Sequence, residues 1–105
     1  MRDIHKLTTS VYLIGNDALN YYKIGMAINP LRRMKALSLP FEVKLIASIE
    51  MRNRFEALDL EQGLHIHYAD RALQGEWFSN MTAKDFMDSA ETLATQYLAT
   101  KRSWN

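Results

Sequence analysis

Three cations fall within four residues, Arg32, Arg33 and Lys35. That density gives nonspecific affinity for phosphates, of the kind added salt weakens. Glu61 borders an apolar stripe of Ala57, Leu60, Leu64 and Tyr68 at three- and four-residue spacing. On a helix it therefore stands at the edge of the buried face instead of opposite it. His65 follows four residues later on the same helical side. There an imidazole could orient the Glu61 carboxylate or contact a ligand, a partly buried structural histidine being the other reading. His67 lies only two residues beyond His65, so on a helix the two point in divergent directions and a joint zinc site is not expected. Cysteine is absent, which removes a thiol nucleophile, a thiolate metal site and a disulfide framework, and suits a reducing cytoplasm.

The elements that must position these groups follow from local pattern. Thr8 to Ile14 is rich in β-branched and aromatic residues and stops at the turn-prone Gly15-Asn16-Asp17, which predicts a strand. Tyr21 to Gly25 is a second β-prone run, close enough to make an antiparallel hairpin the economical pairing. Asn29-Pro30 combines a capping acceptor with proline at the first helical position, predicting a helix from Pro30 to about Ser38, where Pro40 ends it. Leu31, Met34 and Leu37 are its candidates for the core face. Val43 to Met51 predicts a third strand. Asn53 caps a longer helix, roughly Arg54 to Ala69, with Glu56 near the positive end of its dipole. Gly63 lies inside that helix at a cost of ~1 kcal/mol against alanine, a position that suggests close packing. Asp70 to Ser79 reads as a loop. Thr82 with Asp85 resembles a capping box opening a terminal helix to about Lys101. The expected architecture is α+β: a small three-stranded antiparallel sheet flanked by helices, in the order β-β-α-β-α-α.

With 105 residues, 48% apolar and 24% charged, the chain suits one domain with one core, over residues 1–105. Its longest apolar runs reach only four residues, as in Val11 to Ile14, against the ~20 of a membrane span and ~7 of a signal peptide. Neither is expected. Net charge is +1, but it is unevenly spread. Residues 1–54 carry nine basic and four acidic side chains (+5), and residues 55–105 carry four and eight (−4). Such asymmetry is expected where one face meets phosphates and another meets solvent or a metal.

Four segments in register resemble the GIY-YIG nuclease superfamily. Ser10-Val11-Tyr12 stands where its first motif would be, Tyr22-Lys23-Ile24-Gly25 at its second, and Asn29 to Met34 where its arginine-bearing helix starts. Glu56 to Glu61 resembles the helix that supplies its metal-binding glutamate. Leu64-His65 and Gly75-Glu76-Trp77-Phe78 are similar to a small phage and bacterial branch, the T5orf172 and meiotically up-regulated gene 113-like domains. The resemblance implies a metal-dependent endonuclease hydrolysing DNA phosphodiesters in a cytoplasmic setting. Its implied catalytic residues are Tyr12, Lys23, Arg33 and His65, with Glu61 holding one Mg2+ or Mn2+ ion. Arg32, Lys35 and Arg54 are the expected nucleic-acid contacts.

On this reading Arg33 donates two hydrogen bonds to the scissile phosphate, with Arg32 the alternative. Tyr12 would orient or deprotonate the attacking water. A phenol of pKa ~10 needs a neighbouring cation to act as a base, for which Lys23 is the obvious choice. The wider family has tyrosine where Lys23 stands. Strand alternation lets only one of Tyr22 and Lys23 join the site, and Lys23 is the one expected there, with Tyr22 in the core. Glu76 is a second candidate acid, and Trp77 and Phe78 are expected to cover the end of the core. The same scaffold without turnover would be a nucleic-acid-binding module. A third reading is a protein-interaction domain whose terminal helix docks on a partner or second copy through Phe86, Leu93, Tyr97 and Leu98. A homodimer is left open, since cutting both strands with one site needs two copies or two visits.

Overall fold

The computed structural model describes the backbone of residues 7–103 and the side chains of residues 7–96. Strand β1 (Thr9–Asn16) is central, paired antiparallel with β2 (Tyr21–Ala27) on one side and β3 (Lys44–Met51) on the other. Helix α1 (Pro30–Ala36) joins β2 to β3, and α2 (Arg54–His67) follows β3. The chain then makes a short 3-10 turn (Ala69–Arg71), a two-residue strand β4 (Trp77–Phe78) and the terminal helix α3 (Ala83–Ser103). The three expected strands and three helices are present. Part of the expected loop becomes β4, which pairs with β2 and completes a sheet of order β3-β1-β2-β4.

Pairing across β1 and β2 sorts the side chains onto two faces, because directly opposed residues in an antiparallel pair share a face. Val11, Leu13, Tyr22 and Ile24 point into the main core. There they meet Ala57, Leu60 and Leu64 of α2, Phe86 and Ala90 of α3, and Tyr68, Phe78 and Met81. Tyr22 is buried as expected, its hydroxyl donating to Asp17 Oδ1 at 2.7 Å. Tyr12, Ile14, Lys23 and Gly25 occupy the opposite face, where α1 lies. Phe86 of α3 is thus a core residue and Leu93 is half-buried against the core. The side chains of Tyr97 and Leu98 lie outside the described residues.

Local capping explains the helix starts. The Asn29 side chain accepts from the Arg32 backbone N–H at 3.0 Å, and that of Asn53 from Glu56 N–H at 3.0 Å. Helix α1 ends at Ala36, just short of Ser38, because Leu37 is already extended. None of the three residues expected on its core face reaches the main core: no residue of α1 is buried, Met34 and Leu37 are only half-buried outside the core cluster, and Leu31 is 46% exposed. Helical geometry supplies the reason. Each residue advances about 100°, so turning Arg33 towards the sheet turns Leu31, two residues back, about 200° away from it.

Gly63 does not mark close packing. A Cβ built on it would lie 3.6 Å from Leu93 Cδ1, an ordinary van der Waals contact. Gly63→Ala is therefore expected to stabilise the fold by ~1 kcal/mol, through helix propensity and a less flexible unfolded chain. Thermal unfolding should shift upward by about 4–8 °C, and a downward shift would mean that the helix pair is tighter than this geometry.

Candidate active site

Tyr12 is placed by a contact across the hairpin. It pairs with Gly25, and its ring lies over that glycine so closely that a Cβ there would sit 2.6 Å from Tyr12 Cζ. Only a residue without Cβ allows the phenol to cross from β1 and set its hydroxyl over β2. This gives the last glycine of Tyr22-Lys23-Ile24-Gly25 its physical role.

The outer edge of β2 is closed by two different devices. The first is the segment Gly75-Glu76-Trp77-Phe78. Gly75, at φ 60°, turns the chain back towards the sheet. The Glu76 carbonyl then accepts from Ile24 N–H at 3.4 Å, while its carboxylate takes the Lys23 ammonium as an ion pair. Trp77 pairs opposite Lys23, and Phe78 opposite Tyr22. The second device is His65, whose Nε2 lies 3.0 Å from the Ile24 carbonyl. A carbonyl can only accept, so Nε2 carries the proton. The ring also packs 5.2 Å from that of Phe78. His65 thus supplies to β2 a hydrogen bond that a neighbouring strand would otherwise give.

One turn before His65, Glu61 reaches the same edge. Its carboxyl is held above the ordinary carboxylate range, first by burial and further by the nearby Glu76 charge, against the opposing pull of His65 and Lys23. Burial likewise pushes the Tyr12 phenol upward, Arg33 opposes this by a hydrogen bond and by its charge, and Glu76 and Glu61 add to it. Tyr12, Lys23, Arg33, Glu61, His65 and Glu76 therefore meet in one neighbourhood, delivered by β1, β2, α1, α2 and the turn before β4.

Two details differ from the sequence reading. The cation at Tyr12 is Arg33, because Lys23 is engaged by Glu76. With its pKa raised, Tyr12 is a neutral phenol at pH 7, suited to donating or orienting a hydrogen bond and not to removing a proton. Arg32, Arg33 and Lys35 are all exposed on α1, and of the three it is Arg33 that reaches Tyr12. Arg54 stands apart, exposed at the start of α2 beside a hollow formed with Thr9, Met26, Ala27 and Ile28.

Among the described residues no three His, Asp or Glu side chains converge as a ready metal cage. Glu61, with Glu76 near it, instead offers the sparse, hard donor set that Mg2+ accepts, since that ion keeps several waters and uses one or two carboxylates plus substrate phosphate. The residues present thus fit such an ion.

A small α+β fold that gathers these groups at one strand edge, with exposed cations on the adjoining helix, is a nuclease-like, DNA-binding type of domain. Residues 9–95 match the T5orf172 domain, and the chain belongs to that family, within the GIY-YIG-like endonuclease clan. Searches of the curated proteins and of the solved structures return no match. Among the described residues no helix is long and apolar enough to cross a membrane.

Proposed function

We propose that this protein is a metal-dependent endonuclease that hydrolyses DNA phosphodiester bonds. The observation supporting the reading is that Tyr12, on β1, feels both the hydrogen bond and charge of Arg33 from α1 and the charge of Glu61 from α2. Glu61 would hold the Mg2+ or Mn2+ ion, which supplies charge neutralisation at the phosphate and a more acidic bound water.

The chain's own groups do the rest. Arg33 donates to two phosphoryl oxygens and stays charged as negative charge grows on them. The neutral Tyr12 hydroxyl orients the water that forms the new P–O bond as the bond to the departing sugar oxygen breaks, the water's proton passing by way of solvent to that oxygen. Lys23, only 12% exposed and paired with Glu76, adds a second positive charge on the same face. His65 acts as a positioning residue, keeping the α2 turn that carries Glu61 against β2.

Incubation of supercoiled plasmid with the protein, with and without magnesium, tests this. Magnesium-dependent nicking that disappears in Glu61→Ala and Arg33→Ala supports it. Nicking that survives in Glu61→Ala rejects the metal assignment, and binding without any nicking leaves a DNA-binding module on the same scaffold. The exposed pair Arg32 and Lys35 should act only through phosphate affinity. Arg32→Ala/Lys35→Ala is expected to reduce the slope of log K against log salt by about 2, roughly one for each phosphate no longer neutralised. An unchanged slope in a filter-binding titration would remove both from the interface.

A further inference from the structure

On the same face of the sheet as Tyr12 lies a group of aromatic rings that the fold does not use as core. Tyr21 and Trp77 are stacked with centroids 4.4 Å apart and planes 12° from parallel. Phe41, in the link from α1 to β3, meets both edge-on at 5.5 and 5.7 Å. None of the three belongs to the main hydrophobic cluster or packs against it, and each keeps part of its surface exposed. Register fixes which side they are on. Tyr21, Lys23 and Gly25 alternate onto one face of β2, and Trp77 is directly opposite Lys23, so the rings share the face of Tyr12 and Arg33. At ~3.3 Å per residue, Tyr21 is only ~13 Å along β2 from the glycine beneath the Tyr12 hydroxyl.

From this arrangement we infer that Tyr21, Trp77 and Phe41 form a stacking platform for an unpaired nucleobase, so that the preferred substrate is a DNA single strand or a single-stranded segment of a branched DNA. The inference rests on the endonuclease reading and adds the form of the DNA. Two features favour a nucleotide as the occupant. Flat π-faces accept any base, and the exposed cations Arg32, Arg33 and Lys35 on the helix leading to Phe41 match the backbone phosphates of the same strand. Bases within a duplex already stack on each other, so a duplex has no free face to offer.

The experiment uses the full chain with Trp104→Phe, leaving Trp77 as its one tryptophan, in EDTA so that no cleavage intervenes. Fluorescence is followed while adding a short oligothymidylate or a duplex of equal length. The single strand should quench Trp77 saturably, and Tyr21→Leu should weaken its binding about tenfold while leaving duplex binding unchanged. Phe41→Leu, which spares the Tyr21–Trp77 stack, serves as second variant should Tyr21→Leu lose its native circular dichroism. Duplex binding with no quenching by the single strand, or equal loss on both forms, overturns the platform and leaves the endonuclease reading intact. Binding of neither form overturns both. Quenching by a protein that never nicks DNA upholds the platform and rejects the endonuclease.

Discussion

Replacing Glu61 by glutamine is expected to abolish cleavage and, at the same time, to make the protein more stable. Loss of the only carboxylate proposed to hold the cation should lower nicking by about a thousandfold or more, because metal catalysis of phosphoryl transfer supplies several kcal/mol. The stability effect has the opposite sign. Glu61 is partly buried and its pKa is raised, mainly by that burial and also by Glu76, so its ionised form is disfavoured in the folded state. The folded protein binds this proton more tightly than the unfolded chain, and wild-type stability falls as pH rises through the interval between the two pKa values. Glutamine keeps the shape without the charge. Its advantage should be absent in acid, open as pH rises above the ordinary carboxylate range, and be complete above the folded-state pKa, where a melting point a few degrees higher is expected. Magnesium should raise the melting point of the wild type and leave the variant unmoved, since only a protein that binds the ion gains from it. Undiminished nicking in Glu61→Gln, or a lower melting point at pH 7, would contradict these roles for the carboxylate.

Arg33 provides the second large effect. Arg33→Ala is expected to reduce nicking by about 10²–10³-fold, the range found on removing one preorganised donor to a developing charge. Arg33→Lys should recover part of the DNA affinity and little of the rate, because a single ammonium cannot match two phosphoryl oxygens as a planar fork does. A separate readout needs no catalysis. Arg33 is the group that holds the Tyr12 phenol down against burial, so either substitution should change the alkaline titration of Tyr12 seen in the ultraviolet, with Arg33→Ala pushing it higher still. Arg32→Ala should do neither, since Arg33 and not Arg32 is the arginine that hydrogen-bonds Tyr12. A rate loss in Arg32→Ala equal to that in Arg33→Ala would exchange the two roles.

The difference between neighbouring arginines illustrates what could be read before folding. Asn29-Pro30 and Asn53 announced their helices because capping is a local hydrogen bond between residues three apart. Strand alternation separated Tyr22 from Lys23 for the same reason, and Tyr22 is indeed buried against the core while Lys23 faces away from it. Glu61 and His65 share a helical side by spacing alone. Leu31 failed: apolar type pointed inward, but the turn of the helix that brings Arg33 to Tyr12 carries Leu31 to solvent.

Other relations had no local signature. The pairing of Lys23 with Glu76 spans 53 residues, and it decided that Arg33, not Lys23, is the cation at Tyr12. His65 holding the Ile24 carbonyl spans 41 residues. Trp77, expected to cover the core's end, instead stacks on Tyr21 outside the core, while Phe78 next to it goes in, because β4 adds to β2 in a register that alternates them.

By itself, then, the chain determined its three long strands and three helices, their caps, which of Tyr22 and Lys23 faces the core, and the family wording of its motifs, since all of these depend on side chains a few bonds or one helical turn apart, whereas β4 exists only by pairing with β2. Only the tertiary structure decided which charges neutralise which, which aromatic rings meet, and that a phenol rooted in β1 ends above a glycine in β2. Those outcomes depend on through-space distances between segments tens of residues apart, which are set when the sheet closes and its two faces are covered.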